Sequence, residues 1–314
     1  APRDAGPSLL LGVLREKNKM TTTAMAPPAT ISGDATSGQA RDRVLWGVLM
    51  LAPYLLVFAV MVVYPVAYGL WLGLNWQSYK ALFADPIFIR TMVNTVVFLF
   101  IAVNLKFIIA MMLSGFFVQQ RAWVRIILVL FILPWAVPSI PTILSFRIML
   151  NPENGMINQQ LFQWFGIVEG PGWLTDPTLA FASSILVHIW KSLPFWTLIL
   201  LTGRLAISHD LYEASDVDGA NWGQKFRYIT LPLIRETLAV AIVLMVIGGM
   251  KAFEAIWLLT NQQPTSETHV VGTFMIRSLF VDQKIGQAAA LACLLFAVVL
   301  VGSLFSSKIS GASE

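Results

Sequence analysis

Long apolar runs separated by short polar stretches dominate the chain, and their lengths set the first expectation. A helix that crosses a bilayer needs about 20 consecutive, mostly apolar residues. Six runs reach that length, at roughly 44–73, 91–118, 125–149, 178–203, 236–260 and 285–307. The pattern predicts an all-α polytopic membrane protein with six transmembrane helices, and the even number puts both ends of the chain on one side. Between the third and fourth runs, Ile157, Leu161, Phe162 and Phe165 recur at near-helical spacing. That spacing predicts a short amphipathic helix, either resting at the lipid interface or meeting a partner outside.

Basic residues orient the bundle. Arg41 and Arg43 precede the first run, Arg121 and Arg125 follow the second, Arg204, Lys225, Arg227 and Arg235 follow the fourth, and Lys308 follows the sixth. The other connections carry Lys80 and Arg90, then none between 151 and 177, then Arg277 and Lys284. The excess marks a cytoplasmic side and predicts an N-in, C-in arrangement. Tryptophans agree, with Trp46, Trp123 and Trp222 near the inner interface and Trp71, Trp76, Trp173 and Trp257 near the outer one. Residues 1–43, rich in Ala, Pro, Thr, Ser and Gly, read as a disordered cytoplasmic tail in which Met20 or Met25 is a candidate start. The apolar LLLGVL within it is too short to span and lacks a small-residue cleavage site. Residues 44–308 then form the transmembrane domain, with a cytoplasmic connection at 204–235 and a short C-terminal tail at 309–314.

Composition narrows the function classes. Hydrophobic residues make up 57% of the 314 and charged ones 12%, with a mean hydropathy of +0.71. Soluble domains carry roughly twice that charged fraction, so lipid is the main solvent. The net charge of +4 sits at the ends of apolar runs, where it reads as topology and not as nucleic-acid binding. A single cysteine, Cys293, excludes an internal disulfide or a Cys-based zinc site. His188, His209 and His269 fall on different elements, which argues against a metal cluster or a histidine-based catalytic set. No catalytic residues and no metal ligands are expected.

The longest cytoplasmic connection reads ISHDLYEASDVDGANWGQKFRYITLPLIR, residues 207–235. Ser208 or Asp210 can cap a helix, the latter with Glu213 in a capping-box spacing, and Gly219 is a natural stop. A helix from about His209 to Asp218 is therefore expected. Glu213, Asp216 and Asp218 alternate there with the small Ala214 and Ser215, which permit close approach of another protein. A second segment supplies Trp222, Phe226, Tyr228 and Ile229 as an anchor. Leu231 and Pro232 restart the chain, Pro being suited to a first helical turn. The bland alternative is an amphipathic segment that merely packs beneath the bundle.

At this point the residues carry a resemblance. EAS, then Gly219, then Ile229 and Leu231-Pro232 resemble the EAA loop of ABC importer permeases, with Ser215 in place of the second alanine, and the extended form is similar to carbohydrate importers of the maltose type. APYLLVFAVMVVYP, NTVVF, VRIILVLFILPWAVPSI, GMINQQLF and GWLTDP continue the likeness. The sequence departs from it at Lys106, within the second run, and at TNQQPTSET, where related permeases often have a Thr-Gly-Gly-Pro turn. The resemblance implies a type I ABC importer permease-like fold working by alternating access. It implies a second homologous permease in a heterodimer, two ATPase subunits and an extracytoplasmic solute-binding protein. It also implies that Glu213, Ala214, Ser215, Asp218, Gly219, Ala220, Ile229, Leu231 and Pro232 form the ATPase-docking loop. No GxxxxGK[ST] phosphate loop occurs in the chain, so ATP and Mg would be held by the partner ATPases, and the chain itself would hold no cofactor. The implied cargo is a sugar, an oligosaccharide or a polyol phosphate.

Ionisable groups inside the runs are expensive in lipid and should face protein or water. Lys106 lies in the second, His188 and Lys191 share a face of the fourth, and Lys251 and Glu254 share a face of the fifth. They either line a transport path or have no solute contact, Lys251 pairing with Glu254 while Lys106 and Lys191 find neighbouring acceptors or snorkel. Pro134, Pro138 and Pro141 in the third run and Gly248 with Gly249 in the fifth either break helices around a cavity or are ordinary membrane-helix residues. Trp135, Trp190, Trp196 and Phe253 either stack on sugar rings or simply pack. The candidate path is Trp135, His188, Lys191, Trp196, Phe253 and Glu254. An ion channel or ion-coupled secondary transporter of similar topology is the alternative, although neither a selectivity filter nor paired broken repeats is visible.

Overall fold

The computed structural model describes residues 33–119, 121–261 and 268–311, with side chains from residue 45 to residue 304 within those limits. The tail up to residue 32, including LLLGVL and both candidate start methionines, lies outside the described residues, as do 312–314 and the centre of TNQQPTSET. Among the described residues all regular structure is helical.

The chain divides into two units, the first ending at Pro65. It contains α1 (Gly33–Phe58) and a π-helical turn, Ala59–Val63. The helix starts at Gly33, inside the stretch expected to be a disordered tail. Extending an existing helix adds one hydrogen bond per residue fixed and needs no new nucleus, and no proline interrupts 33–52. Every described side chain from residue 45 to Pro65 is exposed.

The second unit runs from Val66 and holds the remaining spans. The apolar helix continues as α2 (Tyr64–Gly73), and α3 (Trp76–Ala84) follows. α4 (Pro86–Phe117) and α8 (Pro177–Leu205) are the long central helices. Each begins with Asp-Pro: Asp85 accepts from the Ile87 amide at 2.9 Å and Asp176 from the Leu179 amide at 2.8 Å. The aspartate satisfies an orphan donor, and the proline gives up a hydrogen that had no partner.

Between them lie α5 (Ala122–Ala136), α6 (Ser139–Met149) and α7 (Met156–Phe165). The third expected span is a pair of helices bent by 93°. Pro138 excludes the residue before it from helical backbone, and Val137 accordingly has ψ 141°. Among the described residues, five apolar helices together with this bent pair, taken as one span, account for the six expected runs. In α7 Ile157, like Trp173 and Leu174, packs on the buried cluster around Ile143, Leu150 and Leu259, while Phe162 and Phe165 stay exposed. The buried Asn158 ties the helix down, accepting from the Trp173 indole at 2.7 Å and donating to the Pro152 carbonyl at 3.0 Å.

The connection after α8 contains α9 (His209–Val217), α10 (Trp222–Lys225), a π-helical turn (Phe226–Thr230) and α11 (Leu231–Leu233). The fifth span is α12 (Arg235–Met250) and α13 (Glu254–Thr260), broken at 251–253. Gly248 and Gly249 are not the break. They sit within α12, where a side chain on Gly249 would come within 2.6 Å of Leu99 on α4. α14 (Val271–Ile276), a π turn (Arg277–Val281) and α15 (Ile285–Gly311) complete the chain.

Lipid tails are as apolar as leucine, so close van der Waals packing must hold the helices together. Small residues permit it. Ala102, Ala110 and Ala241 are wholly buried where α4, α8 and α12 meet, around Phe98, Leu200 and Met245. At the opposite end of the fifth span, buried His269 accepts from the Arg277 guanidinium at 3.2 Å, which leaves its Nδ1–H facing the Thr273 hydroxyl at 3.3 Å.

Candidate functional site

The loop between α8 and α12 is built from local rules. Ser208, not Asp210, caps α9, accepting from the Asp210 amide at 3.3 Å. At the other end the Gly219 amide donates to the Asp216 carbonyl at 3.1 Å and the Ala220 amide to the Ser215 carbonyl at 2.9 Å. That paired arrangement requires a left-handed residue at its turn, and Gly219 has φ +73°. Asn221 and Gln224 then form a reciprocal capping box at 2.7 and 3.0 Å. Lys225 pairs with Asp216 across the turn.

Further ties make one body of these pieces. The Tyr212 hydroxyl lies 2.9 Å from the Thr230 hydroxyl, joining α9 to the π turn. Trp222 stacks on Phe226 at 5.6 Å, and the Arg204 guanidinium sits 5.7 Å from the Phe226 ring. Ser215 is buried, and its hydroxyl donates to the Tyr212 carbonyl at 2.7 Å; a small side chain fits there, and its polar atom is spent within the helix. Ile229 and Leu231 are half-buried and Ala220 likewise. Pro232 lies in α11, ahead of the fifth span's first turn where it was expected, because buried Ile234 makes a joint before Arg235. Glu213, Ala214, Asp216, Val217, Asp218 and Gly219 remain exposed, with Glu213 Oε1 3.0 Å from His209 Nδ1.

Within the membrane, a cavity of about 310 Å³ opens between α5–α6, α8 and the broken fifth span. Trp135, His188, Lys191 and Glu254 line it, together with Ser139, Ser192 and Lys251. Two expected path residues lie elsewhere. Trp196 is buried among Val103, Leu200 and Met245, and the Phe253 Cβ faces Gly272. Trp135 stacks on Phe195 at 5.6 Å, and Trp190 meets Phe146 edge-on at 4.9 Å.

Lys106, an isolated interruption in sequence, is buried directly behind this wall. Its ammonium lies 3.2 Å from His188 Nε2, 3.3 Å from the Ser192 hydroxyl and 5.8 Å from the Trp196 ring centre. An ammonium only donates, so Nε2 accepts and the imidazole proton sits on Nδ1. Lys191 instead reaches the broken third span, donating to the carbonyls of Pro134 at 2.6 Å, Trp135 at 3.2 Å and Val137. The pairing offered for Lys251 with Glu254 does not form: α12 ends at Met250, so the helical spacing that would bring them together is lost.

A family model for the binding-protein-dependent transport system inner membrane component matches residues 43–308. The chain belongs to that family. It is 30% identical over 279 residues to the trehalose/maltose transport system permease protein MalF of Thermococcus litoralis, covering 84% of this chain and 92% of that one. It is 31% identical over 274 residues to the sulfoquinovosyl glycerol transport system permease protein SmoG of Agrobacterium fabrum, covering 82% and 87%. A bacterial alginate ABC transporter, crystallised with an alginate pentasaccharide-bound periplasmic protein, superposes with a TM-score of 0.77 at 25% identity, covering 87% of this chain and 96% of that one. This permease is therefore a multi-pass protein of the bacterial inner membrane. Among its described residues no three His, Cys, Asp or Glu side chains come together to hold a metal ion.

Proposed function

We propose that the chain is the permease subunit through which an ATP-driven importer moves a sugar, an oligosaccharide or a polyol phosphate by alternating access. In this reading both termini are cytoplasmic, and the connection 204–235 docks a separate ATPase. Two such ATPases hold ATP and Mg, a second homologous permease completes a heterodimer, and an extracytoplasmic solute-binding protein delivers the cargo. The observation that carries the reading is the loop's construction. Its caps, ion pair and Tyr212–Thr230 contact make it stiff, and they leave Glu213, Ala214 and Asp218 facing outward beside Val217, which is 88% exposed. A stiff loop joined directly to the fourth and fifth spans passes the partner's motion to the bundle as rigid-body rotation.

Support for a carbohydrate comes from the named relatives and from a cavity that sets Trp135 beside hydroxyl and imidazole groups. Membership of this family speaks against the channel or ion-coupled alternative. Purification of the tagged chain from its native membrane is expected to bring down a subunit with a phosphate-binding loop, and vanadate is expected to stop sugar uptake in proteoliposomes. Vanadate-insensitive uptake by the chain without an ATPase would sink the proposal. Screening the co-purified binding protein against neutral and acidic sugars then identifies the cargo.

A further inference from the structure

We infer that Lys191 is a positioning residue: its ammonium replaces backbone donors that prolines delete from the third span, and so holds the bend that shapes the cavity. Helix geometry sets which donors are missing. In a continuous helix the carbonyl of residue i accepts from the amide four residues on. For Pro134 that amide belongs to position 138, and for Val137 to position 141; both are proline and carry no N–H. The Trp135 carbonyl would need the amide of Ser139, which opens the helix beyond the 93° bend.

These are the three carbonyls that Lys191 takes. One ammonium has three hydrogens, and carbonyls left bare at membrane depth are costly unless something satisfies them. The match of three donors to three acceptors satisfies the carbonyls that the bend sets free. It also removes Lys191 from direct service to a solute, because its donors are spent on the wall. What the lysine controls is the placing of Trp135 and Ser139, which flank the bend and both line the cavity. The role in transport rests on reading that cavity as the path, but the role in the bend does not.

The test uses the complete transporter in proteoliposomes, with Cys293→Ala and nitroxide labels at L130C and I148C, two exposed positions on either side of the bend. Lys191→Met is expected to lower the melting temperature by roughly 5 °C, to broaden the label separation and to cut maximal sugar uptake about tenfold. Lys191→Arg, which keeps a cation with several donors, is expected to retain most of all three. Adding Pro138→Ala and Pro141→Ala to Lys191→Met returns the backbone donors. That variant is expected to regain the melting temperature, to move the labels toward the roughly 27 Å of an unbroken helix, and to stay poor in uptake. If Lys191→Met alone does not assemble, the same substitution made on the Pro138→Ala, Pro141→Ala background should cost little stability.

Two results overturn the inference: an unchanged melting temperature and label separation in Lys191→Met with only a raised KM, or no recovery of stability in the triple variant. Absence of any sugar uptake by the unsubstituted transporter would instead overturn the carbohydrate reading, and the label distances would still decide the role of Lys191.

Discussion

The loop and the cavity are built in opposite ways. The hydrogen bonds that shape the loop are local: the capping box joins residues three apart, and the Tyr212–Thr230 contact spans only 18 positions, although Phe226 and Leu231 also rest on the bundle core. The ties that shape the cavity are long-range. Lys106 meets His188 across 82 positions, and Lys191 meets Pro134 across 57. Those loop hydrogen bonds can form from the loop's own sequence, whereas the cavity exists only once the bundle has packed. Damage to one should therefore leave the other standing.

The largest expected effect tests that separation directly. Glu213→Lys with Gly219→Asp reverses an exposed charge and places a side chain where φ is +73°. If Glu213 pairs with a partner charge, the loss is about 2–5 kcal/mol of docking energy. Pull-downs should lose the ATPase and uptake should stop, while the melting temperature of the membrane portion barely moves. Continued co-purification would show that docking occurs elsewhere.

Lys106→Met probes the other half. It keeps the buried stem's volume and discards a charge that has no carboxylate partner among the described residues. Removing such a charge is expected to leave thermal stability unchanged or higher, while His188, freed from its orienting donor, loses roughly tenfold in uptake. A marked fall in melting temperature would mean that the ammonium is held for stability alone.

A third effect is tied to pH and to the far end of the fifth span. Burial, helped by the Arg277 guanidinium and opposed by Asp282, pulls the His269 imidazole down to about 4. Below about 6.5 the unfolded chain takes up a proton that the folded chain refuses. Stability should thus fall as pH drops from 6.5 toward 4 and level off beneath that. Melting curves across this range should show the slope, and His269→Gln should flatten it. Smallest is Ser208→Ala, which removes one cap at a cost of about 1 kcal/mol; hydrogen exchange should rise in α9 without any change around Lys106.

The same contrast explains what could be read in the sequence. The fourth span, expected at 178–203, is observed at Pro177–Leu205 because its apolar content and its Asp-Pro start are both local signals. Gly219 was legible as a stop for the same reason. Both Ser208 and Asp210 carried capping oxygens, and only the path of the chain after Ile207 decides between them. The prolines offered a broken third span as one of two readings, and gave neither its angle nor its donor, since Lys191 lies on another helix. Lys251 and Glu254 misled because their spacing presumes a helix that has stopped by then. The acceptors offered for Lys106 could not be named in advance because packing brings them to it.

The π turn at Phe226–Thr230 sets a phase. The Leu231 amide reaches back five residues to the Phe226 carbonyl, so the turn holds one residue more than an α-helical turn would. Each residue in a helix advances the direction of its side chain by about 100°. Deletion of a single residue there would restore ordinary helical pitch and swing Thr230 away from Tyr212. It would also re-aim the whole exposed edge of α9 relative to the fifth span. Side chains in this stretch can change without moving that angle, but its length is a fixed angle written in residues.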